Sequence, residues 1–136
     1  MIEFKTKLPL YIYSNPISPV EASAALKSLE ILNSERGKGI LTHLHQMTKK
    51  FEEGLLDLGY EIIESDHPIV PLMVRDTKKT TELVNYLIEN GILGTGLNYP
   101  VVPKGDEEIR FQINADHTPY DIDYALTVLK DYKQRA

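Results

Sequence analysis

Apolar and polar side chains alternate along residues 109–115, and the chain then changes to residues that start helices. One face of this predicted strand carries Ile109, Phe111, Ile113 and Ala115, and the opposite face carries Arg110, Gln112 and Asn114. A period of two predicts a half-buried strand. Thr118, Pro119 and Asp121 then suit the N-cap, N1 and N3 positions of a helix. We therefore predict a strand, a chain reversal and a last helix over residues 119–133.

Two helices are predicted before this region. Ser18, Pro19 and Glu21 form a capping box that opens the first helix. Its apolar stripe consists of Ala22, Ala25, Leu26, Leu29 and Leu32. The second helix has the strongest helical period in the chain, carried by Ile40, Leu44, Met47, Phe51, Leu55 and Leu58. Gly59 lies where a C′ glycine ends a helix, with Tyr60 as the apolar residue after it.

Shorter elements fill the middle of the chain. We predict, in order, a strand at 60–63, a strand at 69–74, a helix capped by Asp76 and stopped at Asn90-Gly91, a glycine-rich strand at 92–98 and a loop at 99–105. Because proline cannot donate a main-chain hydrogen bond, Pro71 predicts that its strand is an edge strand or is bulged. The order α-α-β-β-α-β-β-α predicts an α+β fold, with helices covering a small antiparallel or mixed sheet of about four strands.

Composition narrows the classes of protein that fit. A net charge of -5 and a pI of about 5.3 argue against a nucleic-acid-binding protein, because phosphates favour a basic surface. No apolar run approaches the roughly 20 residues of a membrane span, and Glu3, Lys5 and Lys7 interrupt any signal-peptide pattern. The chain has no cysteine, which excludes disulfides and suits the cytosol. We expect a cytoplasmic protein in which 1–17 form an extended connector or interface segment and 18–136 an α+β domain.

Short motifs that could carry chemistry fail on spacing. His43 and His45 are two apart on a helix and do not share a face, so a metal site is not predicted. Residues 94–96 lack the third glycine of a dinucleotide loop, and residues 37–39 lack the spacing of a P-loop. We predict no catalytic residue in this chain. Arg110 is either a solvated surface arginine, which is the commoner case, or an anion-binding group whose guanidinium matches a carboxylate with two parallel hydrogen bonds.

Three segments in this order resemble a known family. They are YIYSNP at 11–16, YPVVPKG at 99–105, and IR leading to ADHT at 109–118. Together they resemble the C-terminal small domain of the α-oxoamine synthases, which are pyridoxal-phosphate (PLP) enzymes of the aspartate-aminotransferase fold type, fold type I. The loop is most similar to that of glycine C-acetyltransferase, also called 2-amino-3-ketobutyrate CoA ligase.

The resemblance implies a function and roles for particular residues. Such enzymes condense an amino acid, here expected to be glycine, with an acyl-CoA, and PLP serves as the electron sink. Arg110 would bind the substrate's carboxylate. Ser14 and Asn15 would lie at the PLP phosphate of the neighbouring subunit in a homodimer, and His117-Thr118 would place the last helix. Leu10, Phe111 and Asp116 depart from the residues usual in the family.

The resemblance also implies that part of the enzyme is absent from this sequence. In the family, the lysine that binds PLP and the residues that hold its ring precede this region. We therefore expect a fragment or split gene product that binds no PLP and is inactive by itself, with PLP present in the full-length enzyme. Two other classes stay open: a regulatory module that binds a small molecule, and a structural dimerisation domain.

Overall fold

Helices and strands follow one another in the predicted order in residues 15–135, the part of the chain that this computed structural model describes. The helices are α1 (Pro19–Leu32), α2 (Glu35–Asp57), α3 (Thr77–Glu89) and α4 (Pro119–Arg135). The strands are β1 (Glu61–Ile62), β2 (Ile69–Met73), β3 (Thr95–Leu97) and β4 (Glu108–Gln112). The predicted order α-α-β-β-α-β-β-α is confirmed. Most of the predicted connector, residues 1–14, lies outside the described residues.

The chain divides into two compact units, Met1–Lys38 and Gly39–Ala136, so the division falls within α2. In the first unit, α1 begins with the predicted capping box, in which the Glu21 N–H donates to Ser18 Oγ and the Ser18 N–H donates to Glu21. No residue of α1 is buried among the described residues, and Leu26 and Leu29 are about 60% exposed. The domain boundary that we placed after residue 17 stays a prediction.

A four-stranded sheet forms the centre of the second unit. Its strand order is β1-β2-β4-β3, and every neighbouring pair is antiparallel. The prediction of an α+β fold with a small sheet is therefore confirmed, and the sheet is antiparallel rather than mixed. A loop alone joins β1 to β2, and a loop alone joins β3 to β4. Between β2 and β3 the chain forms α3.

Pro71 does not mark an edge strand or a bulge, so that prediction was wrong. β2 pairs with β1 on one side and with β4 on the other, and its register with β4 runs without interruption. The Pro71 carbonyl accepts a hydrogen bond from the Ile63 N–H on the β1 side, just past the two paired residues of β1. In an antiparallel pair the N–H and carbonyl of one residue face the same strand, so the missing N–H of Pro71 leaves its contact with Ile63 with a single bond at the end of the β1 ladder and interrupts no pairing with β4.

The core lies between one face of the sheet and helices α2, α3 and α4. Its fully buried members include Phe51, Leu55, Val70, Leu72, Leu87, Ile109 and Leu129. The predicted alternation in β4 is confirmed, since Ile109 and Phe111 are buried while Arg110 and Gln112 are exposed. The rings of Phe51 and Phe111 meet edge to face with 5.2 Å between centroids, a favourable aromatic arrangement.

The end of α2 is held by its own main chain and by the last helix. Gly59 has a φ of 72°, and the N–H groups of Gly59 and Tyr60 donate to the carbonyls of Leu56 and Leu55 at 2.8 and 3.0 Å. This is the glycine-ended helix stop that the sequence predicted. Lys133 Nζ on α4 donates to the carbonyls of Leu58 and Gly59 at 2.6 and 2.8 Å. A cation at this position also complements the negative end of the helix dipole.

Candidate functional site

An open cleft of about 670 Å³ lies along β4 and the start of α4, within the second unit. Its polar lining includes Thr95, Arg110, Gln112, Asn114, His117 and Asp121. Apolar side chains line the rest, among them Phe51, Ile92, Leu93, Phe111 and Ile122. A cleft that combines an apolar surface with a few polar groups suits a small ligand.

The loop before β4 is tied to β2, which places the cleft strand. The Val74 and Arg75 N–H groups donate to the Glu107 carbonyl at 2.9 and 3.0 Å. The buried Glu107 carboxylate accepts from Thr77 Oγ1 and from the Gly105 N–H, both at 2.9 Å. Its own main-chain N–H and these two donors lower the pKa of Glu107, so it is held as a carboxylate. These hydrogen bonds therefore hold the residues just before β4 in place, next to the part of β4 that lines the cleft.

Arg110 lies in the middle of β4, opposite Pro71 on β2 and Thr95 on β3. Its side chain is 51% exposed, and its Nε donates to Glu108 Oε1 at 2.7 Å. Glu108 is the one hydrogen-bonding partner of this guanidinium among residues 15–135. Both terminal nitrogens, Nη1 and Nη2, therefore remain as donors for an anion in the cleft.

The far wall of the cleft is the start of α4. The Asp121 N–H donates to Thr118 Oγ1 at 3.4 Å, which is the bond of the predicted N-cap, and the Thr118 N–H and hydroxyl both donate back to Asp121 Oδ2 at 2.7 Å. These bonds and the nearby His117 lower the pKa of Asp121. His117 Nδ1 accepts from the Asn114 N–H at 3.2 Å, and the His117 carbonyl accepts from His43 Nε2 at 2.9 Å. These contacts hold the turn and the helix start, and they give His43 a structural role.

The described residues bring together only part of the predicted site. Arg110 lies in the cleft. Asn15 is an exposed residue in the first unit, and Ser14 lies outside the described residues. No group of three or more His, Cys, Asp or Glu side chains that could hold a metal occurs within 15–135. Over the same range, no helix is both long enough and apolar enough to cross a membrane.

Sequence reasoning missed Glu108. Its main signal was available, because residues two apart in a strand share a face, and Glu108 precedes Arg110 by two positions. We began the strand at residue 109, and the structure begins it at Glu108. Glu108 is buried, with a side chain 7% exposed, and an acidic residue rarely occupies such a place unless it is paired. Arg110 provides that pairing.

Known proteins are similar to this chain over most of its length. A family model described as aminotransferase class I and II matches residues 5–129. The 8-amino-7-oxononanoate synthase of Thermosipho melanesiensis is 40% identical over 124 residues, which cover 90% of this chain and 31% of that protein. The mitochondrial 2-amino-3-ketobutyrate coenzyme A ligase of Mus musculus is 34% identical over 113 residues, covering 83% and 27%. The chain thus spans about a third of the length of these relatives, and the resemblance to the α-oxoamine synthases is confirmed.

Solved structures share the fold. A serine palmitoyltransferase from S. paucimobilis with bound PLP-myriocin aldimine superposes with a TM-score of 0.85 over 96% of this chain and 33% of its own, at 21% identity. At that identity the likeness shows the fold alone. It confirms the predicted α+β architecture as one found in a fold-type-I PLP enzyme.

Proposed function

Because the chain belongs to the aminotransferase class I and II family, we propose that it is part of a PLP-dependent acyltransferase that condenses an amino acid, glycine, with an acyl-CoA. The names of two relatives, an 8-amino-7-oxononanoate synthase and a 2-amino-3-ketobutyrate coenzyme A ligase, support this class. The observation that carries the proposal is the place of Arg110, which lines the cleft, is half exposed and has no partner for its two terminal nitrogens among residues 15–135. This chain binds and orients the substrate, and it does not carry out the reaction alone.

Arg110 binds the carboxylate of the amino acid. A planar guanidinium can donate two parallel hydrogen bonds to the two oxygens of a carboxylate, which fixes both its position and its plane. The α-carbon is bonded to that carboxylate, so its position is restricted as well. Correct placement of a reacting carbon is itself a large part of catalysis.

The cleft residues fit a carboxylate and do not fit the phosphate of PLP. Asp121 lines the cleft together with Arg110, and its lowered pKa keeps it negative. Asp121 repels any anion in the cleft, but it repels a phosphate dianion about twice as strongly as a singly charged carboxylate, and Arg110 is the one Lys or Arg among the described lining residues to offset it. When PLP is bound in the complete enzyme, it supplies an electron sink for chemistry at the α-carbon. The cofactor contacts of this chain are proposed to come from outside the cleft.

Ser14 and Asn15 are proposed to contact the PLP phosphate of the neighbouring subunit in a homodimer. A hydroxyl and an amide can donate to phosphate oxygens without adding charge. The exposed position of Asn15, next to Pro16, leaves its amide accessible to a partner surface. The apolar residues Leu10 and Ile12, which precede this tip in the sequence, suit an interface.

The first test separates a partial enzyme from a complete one. We expect that the isolated 136-residue chain, incubated with PLP, shows no lysine-bound PLP absorbance that borohydride abolishes, and releases no CoA from glycine and acetyl-CoA. A chimera that joins this chain to the remaining two-thirds of the T. melanesiensis relative is expected to bind PLP and release CoA. Thiol release is followed with a chromogenic reagent while glycine, alanine and serine are offered in turn.

Two results contradict the proposal. A borohydride-sensitive band traced to one lysine of this chain means that the chain holds the cofactor by itself. A folded, PLP-loaded chimera that releases no CoA with any amino acid and acyl-CoA means that the chain does not serve an acyltransferase. If that inactive chimera is accompanied by tight glycine binding to the isolated chain, a regulatory module is supported instead.

The second test asks whether Ser14 and Asn15 act across the subunit boundary. In a mixed dimer of the complete enzyme, one subunit carries Ser14→Ala with Asn15→Ala and keeps its PLP lysine, while the other keeps Ser14 and Asn15 and lacks that lysine. If the sites are shared, the one intact lysine meets an intact segment, and we expect about half of the parent activity because one site of two is complete. The doubly substituted homodimer, with both segments damaged, is expected to be much less active at the same PLP concentration.

Equal impairment of the mixed dimer and the doubly substituted homodimer, at saturating substrate and PLP, contradicts the assignment. Ser23→Ala with Ser28→Ala is the matched control, because in the described part of the chain the two hydroxyls bond within their own helix, at the carbonyls of Pro19 and Ala24. This control is expected to behave like the parent in both dimers.

A further inference from the structure

Arg110 has two edges with which it could hold a carboxylate, and Glu108 already occupies one of them. A guanidinium offers one pair of parallel donors at Nη1 and Nη2, and another at Nε and one Nη. In the structure the Arg110 Nε donates to Glu108 Oε1 at 2.7 Å. The edge that includes Nε is therefore taken, and the pair of terminal nitrogens is left.

Glu108 itself is firmly placed. The strand register sets it between Met73 on β2 and Leu97 on β3. Its side chain is 7% exposed, whereas that of Arg110 is 51% exposed. A buried carboxylate that holds one nitrogen of a long, exposed side chain reduces the rotamers available to that side chain. Ordering before the ligand arrives lowers the entropy lost on binding.

We propose that Glu108 is a positioning residue that fixes the Arg110 guanidinium, so that its Nη1 and Nη2 edge receives the substrate carboxylate. The inference rests on the proposed function, in which Arg110 binds that carboxylate. It assigns Glu108 an effect on the affinity for the amino acid, and none on the affinity for the acyl-CoA.

Glu108 also has an opposite effect that the test must separate. Its negative charge lies beside the site where a second carboxylate binds, and like charges repel. The variant Glu108→Gln removes the charge but keeps an oxygen that can accept from Nε. The variant Glu108→Ala removes both the charge and the acceptor. The difference between the two variants therefore isolates the positioning effect.

In the complete enzyme, we expect Glu108→Ala to raise KM for the amino acid by about tenfold, on the scale of one charge-assisted hydrogen bond. Glu108→Gln is expected to leave this KM within about twofold of the parent value or to lower it, because its acceptor is kept. The KM for the acyl-CoA should not change in either variant. On an Arg110→Lys background, Glu108→Ala should not raise KM any further, because the fork that it positions is gone.

A readout without the cofactor comes from the 136-residue chain. The Arg110 Nε–H proton is expected to exchange with water more slowly than that of Arg36, an exposed arginine on α2. The slow exchange should persist in Glu108→Gln and be lost in Glu108→Ala. Nitrogen-15 spectra of the arginine Nε–H groups report both rates, and the main-chain spectrum shows whether each variant is folded.

Several outcomes overturn the inference, and they differ from failure of the proposed function. If Gln and Ala both lower KM for the amino acid, Glu108 acts only as an opposing charge. If neither changes KM, or if Nε–H exchange is as fast in the parent as in Glu108→Ala, Glu108 does not position the guanidinium. In each of these cases Arg110→Lys would still impair amino-acid use. An Arg110→Lys variant with parental kinetics overturns the proposed function itself.

Discussion

Arg110→Lys in the complete enzyme should lower kcat/KM for the amino acid by about ten- to a hundredfold, equivalent to losing one charge-assisted hydrogen bond of about 1.5 to 3 kcal/mol. Lysine keeps the positive charge and loses the planar fork. Lysine also cannot keep the Nε contact with Glu108 in its present geometry. Steady-state kinetics with the amino acid varied and the acyl-CoA saturating measure the effect.

The matched control for this substitution is Arg36→Lys, because Arg36 is an exposed arginine on α2 outside the cleft. We expect it to have parental kinetics. If Arg110→Lys is equally harmless, Arg110 is a solvated surface residue and the proposed carboxylate site is wrong. A rise in KM for the acyl-CoA instead of the amino acid would place Arg110 at the other substrate.

Phe51→Ala should destabilise the chain by about 3 to 5 kcal/mol, the usual cost of removing a buried aromatic ring. The side chain is 1% exposed and packs edge to face on Phe111, with 5.2 Å between ring centroids. The substitution removes the apolar contacts of the ring and leaves a cavity under β4. Because domains of this size are stable by only about 5 to 15 kcal/mol, much of the total stability would be lost. Urea unfolding followed by circular dichroism measures the change.

Two further variants serve as controls for Phe51→Ala. Leu93→Ala changes a residue that is 86% exposed and should alter the free energy of unfolding by less than about 0.5 kcal/mol. Phe51→Leu keeps most of the apolar volume and should cost less than Phe51→Ala. A Phe51→Ala change of under about 1 kcal/mol would show that α2 does not pack on β4 as described.

The helices could be predicted from the sequence because their ends depend on local chemistry. The side chains of Ser18, Asp76 and Thr118 each accept from the N–H of the residue three positions later, and Gly59 ends α2 through its own positive φ. Such interactions depend on residues within a few positions of each other. They can therefore be read directly from a short stretch of sequence.

The strands were predicted less well because their lengths depend on distant partners. We predicted a strand over 92–98, but the Ile92 N–H donates to the Leu87 carbonyl at 2.8 Å to close α3, and β3 begins only at Thr95. The position of Pro71 inside the sheet likewise depends on where β1 stops. Neither the start of β3 nor the end of β1 can be predicted from the residues near it in the sequence.

The candidate site shows the same division. The alternation of apolar and polar residues correctly placed Arg110 on the exposed face of β4. The role we assign to Arg110 came from the resemblance, because a single arginine forms no motif with a characteristic spacing. The spacing of Glu108 and Arg110 was visible in the sequence, but the start of β4 at Glu108 and the burial of its carboxylate, which single out this pair, came from the structure. Burial distinguishes a held ion pair from two solvated charges.

The pairing of β2 with β4 has a consequence for how fast the chain folds. These strands form the middle of the sheet, yet partners such as Leu72 and Ile109 are separated in the chain by α3, β3 and the loops around them. The chain must close a loop of roughly 40 residues before this pairing contributes any stability, and such non-local contacts slow folding. Substitutions at the Leu72–Ile109 pair are therefore expected to slow folding. Equally destabilising changes at the helix caps, which need no such closure, should mainly hasten unfolding.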